Sequence, residues 1–428
     1  MPDAQAVAGI DFGTSNTALA IARNVGPPRL ASFSLLGRST QSFRSLLYFD
    51  PEEQNIATPI RYEAGVGGIE AYLEAMGEGR LIQSFKTHLT TATLGRTQIG
   101  PHTVDLDGML ALFLRRFRVC CERSLGTDIR AARFGCPVRF AGATTDQDNE
   151  YARSRLKRAG EAAGFEVVSV ELEPIAAAYH HEQHLQGEQL ALVADFGGGT
   201  TDFCVMRLGS DRRKRTDRRQ DILATGGISV AGDNLDAAII DNLVAPALGK
   251  GTTYREMGHT MAIPPSYYHK LSRWHKLSFL RTARVLGELE RLRKLATQPE
   301  AIEALVALIE ENQGFYLHES VEAAKIALSH RPEVRFHYKH GELEISCTLK
   351  RRAFEGWIAD DVTAIAACLD DTLGSAGVSC RQIGRVFMTG GTAFVPSIRS
   401  EFLARFGADK LSGGDELSSI ASGLALRK

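Results

Sequence analysis

Two short segments, AGIDFGTSNTALAIA at Ala8–Ala22 and LVADFGGGTTDFCVMRL at Leu192–Leu208, each set an aspartate, small hydroxyl residues and glycine around one tight turn. That combination can hold a polyanion together with a divalent cation. In the first segment, Gly13 and the small Thr14, Ser15 and Asn16 let backbone N–H groups and hydroxyls approach a phosphate, and Asp11 at the strand end can hold Mg²⁺ through water. Tight β-turns favour Gly, Ser and Asn for reasons of shape alone, so this segment also fits a plain hairpin. The second is more specific: Gly197, Gly198 and Gly199 stand between Asp195 and Asp202, beside Thr200 and Thr201, where a merely structural turn needs one or two glycines. Each glycine gives up roughly 0.5–1 kcal/mol relative to Ala in regular structure, which implies that some group comes close to this backbone. Both segments carry Asp-Phe-Gly, a Thr one or three residues on, and a β-rich run. This internal repeat predicts two similar lobes, each offering a hairpin to one polyanionic ligand, with a nucleotide as the first candidate.

The elements that must position these turns follow from apolar spacing. Met109, Leu110, Phe113, Leu114, Phe117 and Cys121 recur at helical spacing and predict an amphipathic helix over Asp107–Leu125, with Gly126 as its stop. A strand over Ala132–Val138, a capped helix over Asp146–Gly164 and a strand over Glu166–Leu172 make a βαβ unit. Strands then run from Gln189 to Thr225, and a helix begins near Asp233. Residues 51–104 read as irregular, with Gly65, Gly67, Gly68, Gly77 and Gly79 interrupting any long helix, and 249–314 as mostly helical. The expected class is α/β, with lobe I over residues 1–180, carrying an insertion at about 37–104, and lobe II over 181–428, carrying a mainly helical insertion at about 249–319.

With 428 residues, 44% of them hydrophobic, the chain can bury a substantial core, and a formal charge of −1 gives no global field favouring nucleic acid or an anionic membrane. Its seven cysteines form no C-x-x-C pair and are odd in number, which argues against a disulfide framework or a zinc site. No run of apolar residues is long enough for a membrane span and no signal peptide is evident, so the expected location is cytoplasmic. Two basic runs stand out. RLGSDRRKRTDRRQD (Arg207–Asp221) reads first as a solvated, mobile loop and second as a binding patch; KLSRWHKLSFLRTAR (Lys270–Arg284) includes Trp274, a core aromatic or a partner contact.

Taken in order, the two hairpins and the Gly-Gly pairs at Gly226-Gly227 and Gly390-Gly391 resemble the ATPase domain of the heat-shock 70 kDa chaperones (DnaK-like), within the actin and hexokinase superfamily. The resemblance spans residues 7 to 426 and implies two actin-like (ribonuclease H-like) lobes around a nucleotide cleft, with ATP or ADP and Mg²⁺ as ligands. It places Pro137 at a conformational-switch proline and Glu173 at a catalytic glutamate that would position water or Mg²⁺; Glu173 before Pro174 also fits a plain helix N-terminus. Lys86 falls where the family has a lysine that touches the γ-phosphate. In SVEAAKIALSH, Glu322, Lys325 and Ser329 share one helical face and match the residues that border base and ribose. Opposite them the resemblance sets Gly390 and Gly391, with Asp415 nearby, and Phe394 where an adenine-stacking arginine is usual. The chain ends at the helix that closes the ATPase domain, as in stand-alone YegD-type members, so no peptide-binding domain is expected.

The resemblance thus implies weak Mg²⁺-dependent ATP hydrolysis used as a conformational switch and read by a protein partner or client. Asp11, Asp195 and Asp202 would support Mg²⁺ and water, Thr14 and Thr200 would bind the γ-phosphate, Lys86 would stabilise its charge, and Glu173 with Asp202 would orient the water. Three other readings stay open: a nucleotide-binding scaffold without turnover, motivated by Phe394; an actin-like filament protein, against which the helical insertion speaks; and a small-molecule kinase, for which no sugar-binding run lies beside Asp202.

Overall fold

The computed structural model describes residues 7–22, 26–35, 37–50, 52–75, 78–92, 96–183, 185, 187–215, 217–273, 276–277, 280–311, 313–412 and 418–427. They form two compact units, one of Met1–Gly232, Thr363–Phe394 and Ile398–Lys428, the other of Asp233–Val362 and Val395–Ser397.

The larger unit holds both repeats. In its first sheet the strand Val7–Phe12 is central, with Asn16–Ile21 antiparallel on one side and Ala131–Cys136 parallel on the other, followed by Val167–Leu172. The second sheet repeats the plan: Gln189–Phe196 is central, Thr201–Leu208 antiparallel and then Ile222–Ile228 on one side, and Arg385–Thr389 parallel on the other. Burial on both faces explains the near-continuous apolar runs, among them Ala8, Ile10, Phe12 and Leu19 in the first sheet and Ala191–Ala194 in the second.

The helix Leu106–Leu125 forms where its spacing predicts. Asp105 caps it by accepting from the Gly108 N–H at 2.8 Å, and Gly126 ends it at φ 65°. Its Phe113 and Phe117 are fully buried, each contributing about 1.5–3 kcal/mol over exposure. Thr145 and Asp148 close a capping box on the helix Asp146–Ala162.

Two small-residue helices join the sheets. A Cβ at Gly423, in the helix Ser419–Leu426, would lie 1.7 Å from the Ala176 carbonyl of the helix Glu173–Glu182. One at Gly9 would lie 2.2 Å from the Ala421 carbonyl, so glycine is required at both crossings. Both sheets belong to the larger compact unit, whose first segment ends at Gly232.

Three segments differ from their sequence reading. Gly65–Glu74 is a helix despite its glycines, because they bring it close: a Cβ on Gly65 would sit 2.2 Å from the Phe43 ring and one on Gly68 2.8 Å from Leu46. In the smaller unit, the helices Ala283–Leu295, Pro299–Glu310 and Gly314–His330 form as expected, but Thr253–Glu256 and His259–Ala262 make a hairpin inside the segment read as helical. Its two-residue turn has Met257 at φ 50° and Gly258 at φ 81°, the conformation that hairpins demand. Third, the Arg207–Asp221 loop is rooted in the fold, since Arg218 and Asp221 are buried in mutual ion pairing. Trp274 lies outside the described residues. Among the described residues no helix is long and apolar enough to cross a membrane.

Candidate functional site

The two glycine turns close in the same way. The Gly13 N–H donates to the Asn16 carbonyl at 3.0 Å, and the Gly197 N–H to the Thr200 carbonyl at 2.9 Å. Flanking registers match as well, Phe12 facing Thr17 and Phe196 facing Thr201. Asn16 is therefore the positional counterpart of Thr200, and Gly198 that of Thr14. A Cβ on Gly13 would lie 2.3 Å from the Asn16 carbonyl oxygen, so the turn closes only on glycine.

The third glycine of the second turn has a specific neighbour. A Cβ on Gly199 would approach the Thr14 Oγ1 to 3.1 Å, tighter than ordinary packing. The group that comes close to this backbone is thus the hydroxyl residue of the other hairpin. Thr14 and Thr200 are both largely buried, and the turns face one another within the larger unit. Different groups brace them. Ser45 Oγ donates to the Gly13 carbonyl at 2.8 Å and lies 2.8 Å from Thr17 Oγ1, the Ser45 N–H reaches the Ser15 carbonyl at 2.9 Å, and Ser42 Oγ donates to the Asn16 side chain at 2.7 Å. On the second hairpin Thr201 Oγ1 donates to the Val230 carbonyl at 2.7 Å, and the Gly232 N–H to the Gly197 carbonyl at 3.2 Å.

Below the turns lies a charge cluster. Lys86 Nζ pairs with Glu173 Oε1 at 2.6 Å, both side chains at least nine-tenths buried. Lys86 is presented by the short turn Phe85–His88, entered through Ser84 at φ 58° and ψ 37°, a left-handed conformation that a buried serine holds only at a cost of about 1–3 kcal/mol. Glu173 opens its helix ahead of Pro174, where the helix dipole favours a carboxylate. A Cβ on Gly135 would touch the Glu173 Cγ at 2.9 Å, so this strand glycine makes its room. Asp195 and Asp202 are cross-strand neighbours. Asp195 accepts from Thr389 Oγ1 at 2.7 Å, and Asp202 Oδ1 accepts from the Val138 N–H, next to Pro137, at 2.7 Å. The second oxygen, Asp202 Oδ2, is buried and has no hydrogen-bond partner among the described residues.

These surroundings set the protonation. Burial, then the Glu173 charge, pushes Asp195 up to about 7, against the pull of the Thr389 hydrogen bond and Lys86. Burial first, then Glu173, drives Asp11 and Asp202 well above the usual carboxylate range. For Lys86, burial disfavours the charge, but Glu173, Asp11 and Asp202 outweigh it and hold the ammonium above its ordinary value. Four carboxylates around one ammonium call for a further cation. Among the described residues no three metal-ligating side chains are spaced to hold a metal directly.

The remaining predicted site residues are placed as follows. Gly227 sits across the strand from Asp202, and a Cβ there would lie 2.6 Å from Asp202 Oδ1; one on Gly226 would lie 2.0 Å from Thr372 Oγ1. Both glycines thus have a packing role, and Gly227 makes space for the carboxylate. Gly390 turns at φ 83° with its Cβ position 2.0 Å from the Phe196 carbonyl, whereas a Cβ on Gly391 would meet nothing within 4 Å. Phe394 ends this turn and is 39% exposed. Glu322, Lys325 and Ser329 lie in the smaller unit, on the helix Gly314–His330. Lys325 Nζ pairs with Asp236 Oδ2 at 2.7 Å; burial works against its charge, but Asp236, Glu322 and Asp233 hold it protonated. Ser329 Oγ donates to the Lys325 carbonyl at 3.4 Å. Asp415 lies outside the described residues.

Sequence reasoning missed Ser45, the Val138 N–H, Thr389, Gly232 and Asp236. Only Thr389 had a signal, as the hydroxyl residue at a strand end just before Gly390-Gly391. A protein-family model described as Hsp70 protein matches residues 7–252 and 309–427; the unmatched 253–308 contains the Met257 hairpin.

Proposed function

Since the chain belongs to the Hsp70 family, we propose that it binds Mg²⁺-ATP on the paired hairpins, hydrolyses it slowly, and uses the change as a conformational switch for a protein partner or client. The observation that supports this most is the Thr14–Gly199 approach above the buried Lys86–Glu173 pair, which sets two phosphate-sized turns over one cation and one acceptor.

Each residue then has a defined task. Backbone N–H groups of Thr14–Asn16 and Gly198–Thr200 line the phosphate position, and the Thr14 and Thr200 hydroxyls donate to the terminal phosphoryl oxygens. Lys86, held protonated, offsets charge that builds there during transfer. Mg²⁺ would be carried through water by Asp11 and Asp195, and it supplies neutralisation of phosphate charge. Asp202 Oδ2, buried and without a protein donor, accepts from the attacking water; Glu173, fixed by Lys86, orients it. Positioning and electrostatics supply the catalysis, and no covalent intermediate is required. Glu322, Lys325 and Ser329 serve the base and ribose, and Gly390, Gly391 and Phe394 contact the adenosine.

ATP binding and single-turnover hydrolysis by wild type and Lys86→Ala test the proposal. Wild type binds and hydrolyses, and the variant binds but is about 100-fold slower. Binding without any wild-type turnover leaves a nucleotide-dependent scaffold, and absence of binding removes the nucleotide reading.

A further inference from the structure

The basic loop Arg207–Asp221 has a root and a tip of opposite character. At the root, Arg218 is buried between Glu182 and Asp221, with contacts of 2.8 and 2.9 Å to Glu182 and 2.6 Å to Asp221, and its guanidinium stacks 5.4 Å from the centre of the Tyr179 ring. Glu182 also accepts from the Gly209 N–H at 2.8 Å, and Arg212 pairs with Asp221 and with Glu188, the latter at 3.0 Å. Glu182 occupies the C-terminal end of its helix, where the dipole disfavours a carboxylate, and it is 1% exposed. A buried charge there is stable only when paired, so the site exists to hold this loop.

The tip is built for contact. Arg213, Lys214, Arg215 and Arg219 are exposed, against two exposed carboxylates, Asp211 and Asp217, with Arg215 also 3.7 Å from the buried Asp221. Those carboxylates pair with Lys214 at 2.9 Å and Arg219 at 2.7 Å, fully in solvent, where such pairs contribute little and exchange readily for other carboxylates. Among the described residues Arg213 reaches neutral groups, the Gln183 backbone and side-chain oxygens. An anchored loop that displays unevenly neutralised guanidinium groups matches discrete, spaced carboxylates, which arginine binds in bidentate fashion. The interleaved Asp211 and Asp217 repel a densely charged phosphate backbone, and the chain's net charge of −1 gives no long-range pull toward one.

We propose that the exposed tip of this loop, carrying Arg213, Lys214, Arg215 and Arg219, docks an acidic segment of a partner protein, and that the buried Glu182–Arg218–Asp221 lock holds it in shape to do so. Docking would occur with no nucleotide bound, so the test is independent of the phosphate site. Fluorescein-labelled decaglutamate is titrated with the full chain and read by anisotropy at about 50 mM and about 300 mM salt. Short single-stranded DNA and phosphatidylserine vesicles serve as parallel probes. Expected is salt-sensitive binding of decaglutamate, weakened at least about tenfold by Arg213→Ser/Lys214→Ser/Arg215→Ser and unchanged by Arg38→Ser/Arg61→Ser, two exposed arginines elsewhere. Asp211→Ser/Asp217→Ser, which removes the internal competitors, should tighten binding by several-fold. No binding of decaglutamate by wild type, equal loss in the Arg38/Arg61 control, weakening by the Asp211/Asp217 variant, or tighter binding of DNA or vesicles than of decaglutamate would each overturn the proposal.

Discussion

The two hairpins share one backbone and divide the chemistry. In both, a glycine N–H closes onto the carbonyl three residues on, and the strands continue in the same register. Where the first pairs Asp11 with Ala18, the second pairs Asp195 with Asp202, and where the first has Thr14 the second has Gly198. One turn therefore brings a hydroxyl to the centre, and the other brings a second carboxylate and, at Gly199, the lack of a side chain that lets that hydroxyl approach. A repeat that folds the same way twice can specialise by single side chains, because both turns close through the same glycine N–H bond, at Gly13 and at Gly197.

The sharpest break in that comparison is at Asp202, which the first hairpin lacks. Asp202→Asn should lower single-turnover hydrolysis by about 100-fold with ATP affinity retained, and should raise the melting temperature by removing a buried carboxylate. Ala18→Asp on the Asp202→Asn background should not restore the rate; recovery there would show that the hairpins are interchangeable. Next comes Gly199→Ala, whose methyl group meets Thr14 Oγ1. ATP affinity should fall about tenfold, because the Thr14 hydroxyl must shift from its place to admit the methyl group. Unchanged affinity would mean that the turns do not hold one ligand.

A smaller effect is expected from pH. Asp195, raised to about 7 from an ordinary 3.8, makes the folded state bind more protons than the unfolded one between about pH 4 and pH 7. Stability without ligand should therefore fall as pH rises through that window, and thermal melts at pH 6 and pH 8 should differ by several degrees. Asp195→Asn should narrow the difference, and a stability that instead rises with pH would contradict the assignment. The smallest effect concerns the braces. Ser45→Ala removes two side-chain contacts from the first turn and should cost about 1 kcal/mol in denaturant melts. The second turn is tied by the Gly232 N–H to the Gly197 carbonyl, a backbone contact that no side-chain substitution deletes.

Local signals carried much of this to the surface of the sequence. The hairpins, the Leu106–Leu125 helix with its Gly126 stop, and the capping box at Thr145 each depend on residues close in the chain, so spacing alone reveals them. Relations set by sheet register were hidden. The Gly226-Gly227 pair is visible in the sequence, but its neighbours Thr372 and Asp202 come from other elements. The Lys86–Glu173 contact joins residues 87 apart, and the burial of Arg218 depends on Glu182 at the far end of a helix. The Gly65–Glu74 helix escaped because its glycines serve close packing against Phe43 and Leu46, a reason that is tertiary.

The central claim is that both turns grip one phosphate, and a double-mutant cycle on ATP affinity tests it most directly. Thr14→Ala and Thr200→Ala should each weaken binding several-fold, and the double variant should depart from the product of the two, since neighbouring groups on one ligand are energetically coupled. If either single substitution leaves ATP affinity unchanged, the hairpins do not share a ligand and the account is wrong.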